Sequence, residues 1–385
     1  MGNSNSNVQN AVPGGVSVIV YFADREMNIL GKASTGLPKG FIINNDWKSE
    51  DVESGVATLE FELLYDSRDA AKADKMILPG NYLLRDNNSR GEFYTIIDSE
   101  NDTEDRVASI YAEDAGLDLL NEIVGEYEAT EAHPISFYAD MFANDSGFEI
   151  GLNEISDRSR KLSWDGEATA TERLLSVATQ FDAEISFSFT VDGMKVTHKY
   201  VDIYKQRGQD NGVKLRRGIE VGRIRIKRSV ADVATALKVT GGTPEGAEKP
   251  ITLAGYSYDD GDIYVSGSAL CSRSALKKWS RYLCETGTGT GNIIKTFSYD
   301  TTSQSELCNR AVADLKKRID MAVNYEVELL KLPNNLGAGD TVNIVDREGD
   351  LYLSARVLTL KVSVANRTQS ATLGDYLMSK SASIE

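Results

Sequence analysis

Tyr325-Glu326-Val327-Glu328-Leu329 alternates apolar and acidic residues, and Leu59-Glu60-Phe61-Glu62-Leu63 does the same far upstream. Successive side chains of a strand point to opposite faces, so each stretch reads as a half-buried strand with its carboxylates in water. The segments downstream of the two stretches are also alike. After the first come a Pro79-Gly80 turn, the run Tyr82 to Asp86, and alternating runs at Tyr94 to Asp98 and Val107 to Tyr111. After the second come Gly339-Asp340, Thr341 to Asp346, Leu351 to Val364 and Ser370 to Leu373. Two copies of one small antiparallel β-unit point to duplication, which builds rings and tubes more readily than active sites. Chance likeness between strand-turn-strand segments is the competing reading.

Outward from these units, residues 1–15 form a polar tail, expected to be disordered and ending in Pro13-Gly14-Gly15. A first β part spans 16–110, opening with a strand at Val16 to Phe22. The period then changes. Leu117, Leu120 and Val124 have helical spacing, His133-Pro134 opens a short helix, and Leu174, Ala178 and Phe181 share a face of another. Strands return at Ala183 to Phe189 and Val191 to Tyr200 around an Asp192-Gly193 turn, so 111–212 reads as an α+β insertion. Residues 213–255 supply strands that complete and link the two β parts, with Gly241 to Pro250 as a loop. A helical insertion occupies 256–322. Leu276, Trp279 and Leu283 mark one helix; Cys308, Ala311, Leu315 and Ile319 mark another, capped by Ser303 or Ser305. The second β part covers 323–385. The expected class is α+β, mostly β.

A chain of 385 residues is too long for one compact core. No run approaches the roughly 20 apolar residues that span a bilayer, so no membrane anchor is expected. Met1-Gly2-Asn3-Ser4-Asn5-Ser6 lacks the basic and apolar portions of a secretory signal, and matches a myristoylation pattern only loosely. The 58 acidic and 42 basic side chains leave a formal charge of −16, which repels a nucleic-acid backbone. The charge is uneven: residues 98–131 carry twelve carboxylates and only Arg106, while 205–228 carry nine Lys or Arg against Asp210 and Glu220. Such blocks either pair within or between subunits or form two solvated faces. Cys271, Cys284 and Cys308 leave at least one thiol unpaired and draw neither a disulfide framework nor a zinc site, as expected of synthesis in a reducing compartment.

No motif marks catalysis, a cofactor or a metal. His133 precedes a proline and His198 lies in an alternating strand, so neither sits in a metal-binding helix. Gly287-Thr288-Gly289-Thr290-Gly291 lacks the Lys-Ser or Lys-Thr of a phosphate loop, and Asp259, Asp260 and Asp262 around Gly261 miss the spacing of a calcium loop. Both read as turns. One strand stands out for its charge: Val221 to Arg228 places Arg223, Arg225 and Lys227 on one face, over Ile224 and Ile226 on the other. A ladder of like charge needs acid nearby. Arg223, Arg225 and Lys227 are therefore the candidate subunit interface, with a cross-strand pair in the same domain as the alternative.

These residues carry a resemblance. Arg223 to Gly242, R-I-R-I-K-R-S-V-A-D-V-A-T-A-L-K-V-T-G-G, is similar to a strand-loop-strand in the N-terminal region of tail-associated proteins of long-tailed, non-contractile bacteriophages and prophages. Ser268 to Leu283 looks like that family's strand and succeeding helix, and Leu307, Ala311 and Leu315 look like its L-x-x-x-A-x-x-x-L helix. Leu336 to Val342 with Asp346, then Ala371-Thr372-Leu373-Gly374, resemble its closing strands. The likeness covers residues 16 to 378, and the order of the segments carries it.

The resemblance, to a baseplate-hub family labelled prophage tail endopeptidase-like, implies two similar antiparallel, tail-tube-like β-barrel domains, each interrupted by an insertion. The parts at 16–110 and 323–385 would then belong to two barrels. It further implies three chains in a ring, six barrels in all, closing the distal end of a tail tube and opening for DNA passage. The implied partners are a homotrimer, the distal tail protein ring, the tape measure protein, receptor-binding or fibre proteins, and DNA passing an acidic lumen without specific binding. The implied location is the virion tail tip, after synthesis in the bacterial cytoplasm. No cofactor is implied. Many members continue into a hydrolase or fibre domain, whereas this sequence stops soon after the last expected strand. The rival expectations are a peptidoglycan hydrolase with an acid pair hidden in 111–212, and a host carbohydrate-binding module suggested by Trp47, Trp164 and Trp279.

Overall fold

A computed structural model describes residues 17–377 apart from 37–38, 88–89, 115–118, 144, 165, 193–194, 245, 281–290, 332, 334–335 and 350. The first unit holds strands β1 (Ile19–Ala23), β2 (Ile29–Ser34), β3 (Ile42–Asp51), β4 (Ala57–Leu64), β5 (Tyr82–Asn87), β6 (Arg90–Asp102) and β7 (Val107–Glu113). In β4 the alternation works as expected: Leu59, Phe61 and Leu63 are buried, while Glu60 is exposed and Glu62 partly so. The pairing path runs β3-β2-β1-β5-β6-β7-β4 and returns on itself, because β4 also pairs with β3. Closure depends on a single parallel pair between β2 and β3, Ser34↔Ile42. Phe22, Phe61, Leu83 and Tyr94 fill the ring, and the short helix α1 (Ala70–Met76) adds Met76.

The chain then leaves the ring for its first insertion. Short strands β8 (Ile123–Val124), β9 (Tyr127–Glu128), β10 (His133–Pro134), β12 (Ser159–Arg160), β13 (Ser163–Trp164) and β14 (Ala168–Thr169) pair as β8–β14, β9–β13 and β10–β12. Helices α2 (Ile135–Phe142) and α3 (Ala170–Gln180) accompany the sheet β11 (Phe148–Asn153), β16 (Lys195–Tyr204) and β15 (Glu184–Asp192), with β16 in the middle. Pro134 stands in extended conformation just before α2, without a side-chain capping hydrogen bond. Thr169 and Glu172 form a reciprocal capping box on α3. Leu174, Ala178 and Phe181 are buried together, as their spacing predicts. Of the helix expected at Leu117, Leu120 and Val124, Leu120 is helical, Val124 instead pairs with Ala168 in β8, and Leu117 lies outside the described residues.

The second ring uses β17 (Asp210–Arg216), β18 (Val221–Ser229), β23 (Ala322–Leu329), β24 (Thr341–Asp346), β25 (Leu351–Ser363) and β26 (Thr368–Leu377). These pair in the order β18-β23-β26-β25-β24-β17, and the two ends meet at an Arg217↔Val221 bridge. The second insertion sits between β18 and β23. It is a sheet of β20 (Ile263–Ser266), β21 (Ala269–Ser272), β19 (Ala236–Thr240) and β22 (Ile294–Ser298), in that order, with α4 (Arg273–Trp279) and α5 (Gln304–Arg318). Cys308, Ala311 and Leu315 of α5 are buried against Leu237 and Val239. Ser303, rather than Ser305, caps α5 by accepting the Glu306 N–H at 3.3 Å. Leu283 and Cys284 lie outside the described residues.

The repeat read from the sequence recurs in the pairing. Strands β5-β6-β7-β4 and β24-β25-β26-β23 are joined in the same order, all antiparallel. Strands β6 and β25 are both 13 residues long. Each skips one residue against its partner at the same place, between Ile96 and Asp98 and between Val357 and Thr359. A shared bulge is a stronger sign of common descent than shared strand order, because bulges are specific local features. The copies differ in their added strands: β1 runs antiparallel to β5, whereas β17 runs parallel to β24. Pairing of β3 with β25, from Lys48↔Val362 to Asp51↔Thr359, joins both rings in one 13-stranded sheet.

Candidate functional site

The outer face of β18 is built as its alternation predicts. Arg223, Arg225 and Lys227 are exposed, but Ile226 is also 39% exposed, so only Val221 and Ile224 contribute to the apolar floor. The register places Arg225 opposite Glu326 and Arg223 opposite Glu328 on β23. Arg225 Nη1 lies 3.1 Å, and Lys227 Nζ 3.2 Å, from the Glu326 carboxylate. Hydrogen bonds from Lys227 and Arg225 hold the Glu326 carboxyl below its usual range. The ladder therefore has an acidic neighbour in its own chain. Among the described residues, no ion pair joins the acidic block 98–131 to the basic block 205–228.

A second charged centre ties three cores together. Arg356 on β25, 8% exposed, points its guanidinium at Glu184 of β15. Its Nε donates to the Gly339 carbonyl at 3.0 Å and its Nη2 to the Arg207 carbonyl at 2.8 Å. Glu184 also accepts the Arg207 N–H at 2.7 Å, and Arg207 Nη1 reaches the Asp51 carbonyl of β3 at 3.2 Å. One buried cation thus fixes the second ring, the first insertion and the segment between β16 and β17 that connects them. A buried guanidinium is tolerated only when its donors are met in this way.

Beside this knot lies a cavity of about 320 Å3 between the first ring and β15–β16. Lys48 enters it, 2.7 Å from Glu50 and 2.8 Å from Glu92, and Tyr94 Oη donates to Glu92 at 3.0 Å. Asp114 lies on the same wall and accepts the Ala57 N–H at 2.9 Å. Burial raises its carboxyl well above the ordinary value, against the opposing effects of that hydrogen bond and Lys48.

The remaining sequence candidates are dispersed. His133 stacks on Phe137 at 3.9 Å, and His198 Nδ1 sits 3.2 Å from Glu149 on the exposed sheet. Asp259, Asp260 and Asp262 serve a turn: Asp259 pairs with Arg273, while Asp260 accepts the Asp262 and Ile263 N–H groups. Among the described residues, no three His, Cys, Asp or Glu side chains are grouped to hold a metal ion. Cys271 and Cys308 are buried thiols whose pKa burial raises. Trp164 packs in the first insertion core, and Trp279 Nε1 donates to the Ile319 carbonyl at 3.0 Å. Most of the glycine run 287–291 lies outside the described residues, and no described helix is long and apolar enough to cross a membrane.

Solved structures share this architecture. Prophage tail protein gp18 from Listeria monocytogenes EGD-e matches with a TM-score of 0.56 and 11% identity, over 94% of this chain and 95% of that one. The 43 kDa tail protein of prophage MuSo2 from Shewanella oneidensis matches with a TM-score of 0.57 and 14% identity, over 93% and 98%. A tail protein from Neisseria meningitidis MC58 gives 0.56 and 10%, over 93% and 96%. The fold is that of prophage tail proteins. No family model matches the chain, and no curated protein matches its sequence.

Within this tail-protein fold, sequence reasoning found the basic strand and missed the Arg356–Glu184 centre. The only signal was a lone arginine in the apolar run Leu351 to Leu360, and its partner lies 172 positions away.

Proposed function

We propose that the chain is a structural component of a phage or prophage tail, a hub of three copies that closes the distal end of the tail tube and opens for DNA. The observation that carries this reading is the repeated β-unit, with its shared bulge, on a tail-protein fold. A chain with two equivalent units gives pseudo-sixfold symmetry from three copies, which would match a sixfold tube. In this reading the two rings are the barrels, and a distal tail protein ring and tape measure protein are the neighbours above. Arg223, Arg225 and Lys227 belong to the contact between copies, and the carboxylate-rich chain repels DNA in transit.

Negative-stain electron microscopy of the purified chain, classed without imposed symmetry, tests the proposal. Threefold rings with a central lumen or plug are expected. Compact monomers that clear a peptidoglycan suspension would replace the hub by a hydrolase.

A further inference from the structure

The two insertions face each other across a cleft of about 800 Å3, larger than the cavity beside Lys48. A charged knot spans them. Arg160 of the first insertion lies 3.1 Å from Asp182 and 3.7 Å from Glu306 of the second. Arg310 returns from the second insertion to pair with Asp182, and both guanidiniums lie over the Tyr299 ring, at 5.0 and 5.1 Å. These contacts set the spacing of the walls and pair both arginines with carboxylates, while the buried Arg160 Nε has no hydrogen-bond partner among the described residues.

Three charges on the walls are left over: Asp300, Lys161 and the exposed Glu128. Asp300, half-buried on the second wall, makes no hydrogen bond among the described residues, and burial raises its pKa against the pull of Lys161 and Arg160. The backbone makes room for it: a Cβ on Gly242 would stand 2.2 Å from Asp300 Oδ1. Lys161, exposed on the first wall, is within ion-pair distance of no carboxylate among the described residues. A carboxylate taken partly out of water without a hydrogen-bond partner loses solvation that a ligand donor restores.

Beside the first wall stands an aromatic surface. His133 pairs with Arg160 across β10–β12, and Phe137, 38% exposed, stacks on it at 14° between planes. The cleft walls themselves are mostly hydroxyl, glycine and charged groups, with no large apolar side chain besides Leu162. Such walls hold hydroxyl-rich ligands and give an apolar peptide side chain nothing to fill.

We propose that this cleft binds an oligosaccharide containing amino sugars, with Asp300 accepting its N–H or O–H groups, Lys161 donating to its oxygens, and Phe137 and His133 covering an apolar sugar face. The site is separate from the proposed assembly contacts, so losing it leaves ring formation intact.

The test is calorimetric titration of the full chain with N-acetylglucosamine oligomers of increasing length and with purified bacterial wall polysaccharides. At least one of these probes is expected to bind. Asp300→Asn, which keeps the side-chain volume, and Lys161→Ala are each expected to weaken binding about tenfold, the loss of a charge-assisted hydrogen bond. Phe137→Ala, which removes an exposed ring beside the first wall without touching the core, is expected to weaken binding as well. No binding by any glycan, or equal binding by parent and all three variants with unchanged melting, would overturn the site. So would saturation of the cleft by a polar peptide that no glycan displaces.

Discussion

Gly80 donates its N–H to the Ile96 carbonyl at 2.8 Å, and Gly339 donates to the Val357 carbonyl at 2.7 Å, so the two glycines hold the same place in the two halves of the chain. The next residue completes each pair: Asn81 O accepts from Ile96 N, and Asp340 O from Val357 N, both at 2.8 Å. Ile96 and Val357 are the residues before the shared bulges, so turn and bulge form one unit in each ring. Both glycines have positive φ, +90° and +97°. Their surroundings differ. The nearest atom to a Cβ on Gly80 is Arg25 Cδ at 4.0 Å, whereas a Cβ on Gly339 meets the Arg207 carbonyl carbon and oxygen at 2.6 Å.

Gly80→Ala is therefore expected to cost about 1 kcal/mol, the backbone penalty alone, and Gly339→Ala about 3 kcal/mol, with steric overlap added. Thermal melts of both variants check the ordering. Equal shifts would mean that the Arg207 segment moves aside freely.

Arg356→Ala leaves Glu184 without its cation and two backbone carbonyls without their donor. Breaking a buried pair from one side costs about 3 kcal/mol, and replacing both partners by apolar residues costs less. The single variant is expected to melt earlier and to be cut by protease between Tyr204 and Gln209, where Arg207 bridges the units. Arg356→Met with Glu184→Met is expected to recover most of the loss. An unchanged melt and cleavage pattern in Arg356→Ala would remove the centre from the account of how the rings and insertion are fixed.

What was legible in the sequence was whatever one strand or helix decides alone. Leu59, Phe61 and Leu63 alternate with acids because one face meets the core, and Tyr325, Val327 and Leu329 do so for the same reason. Contacts set by long-range register were not legible. The single pair Ser34↔Ile42 that closes the first ring leaves no periodic trace. Nor does the meeting of Arg160 with Glu306, whose strand and helix belong to different insertions. Val124 was misread because three apolar residues fit helical spacing, while its environment is a two-residue strand paired with Ala168. Arg225 was placed on the correct face, but its acid, Glu326, is supplied by a strand about a hundred residues on.

Asp114 gives the fold a pH dependence. Its folded pKa lies above the unfolded value, so the folded state holds the proton more tightly and stability falls as pH rises from the unfolded pKa toward the folded one. Asn in its place is never charged and keeps an oxygen for the Ala57 N–H. Asp114→Asn is expected to match the parent at low pH and to melt higher once pH exceeds the unfolded pKa of about 3.9. Melting temperature against pH for both proteins decides it. Parallel curves would show that Lys48 keeps Asp114 ionised at no cost.

The proposed role of the basic strand in joining copies is separable from its role inside the chain. Arg225→Glu sets like charges opposite each other at Glu326, which weakens the β18–β23 pairing by itself. Arg225→Glu with Glu326→Arg restores that cross-strand pair with its direction reversed, while Lys227, 67% exposed, loses Glu326 and turns to solvent. At 54% and 33% side-chain exposure the pair is worth about 1 kcal/mol or less, so the swapped chain is expected to fold as the parent does. If the exposed ladder meets an acidic surface on a neighbouring copy, the swap leaves melting unchanged but reduces ring formation, and more so at low salt, where surface charges act further. Mass photometry of parent, single and swapped chains reads both effects. Full recovery of assembly by the swap would confine the ladder to its own chain, because a contact between copies responds to the sign of the charge presented and not only to its being paired.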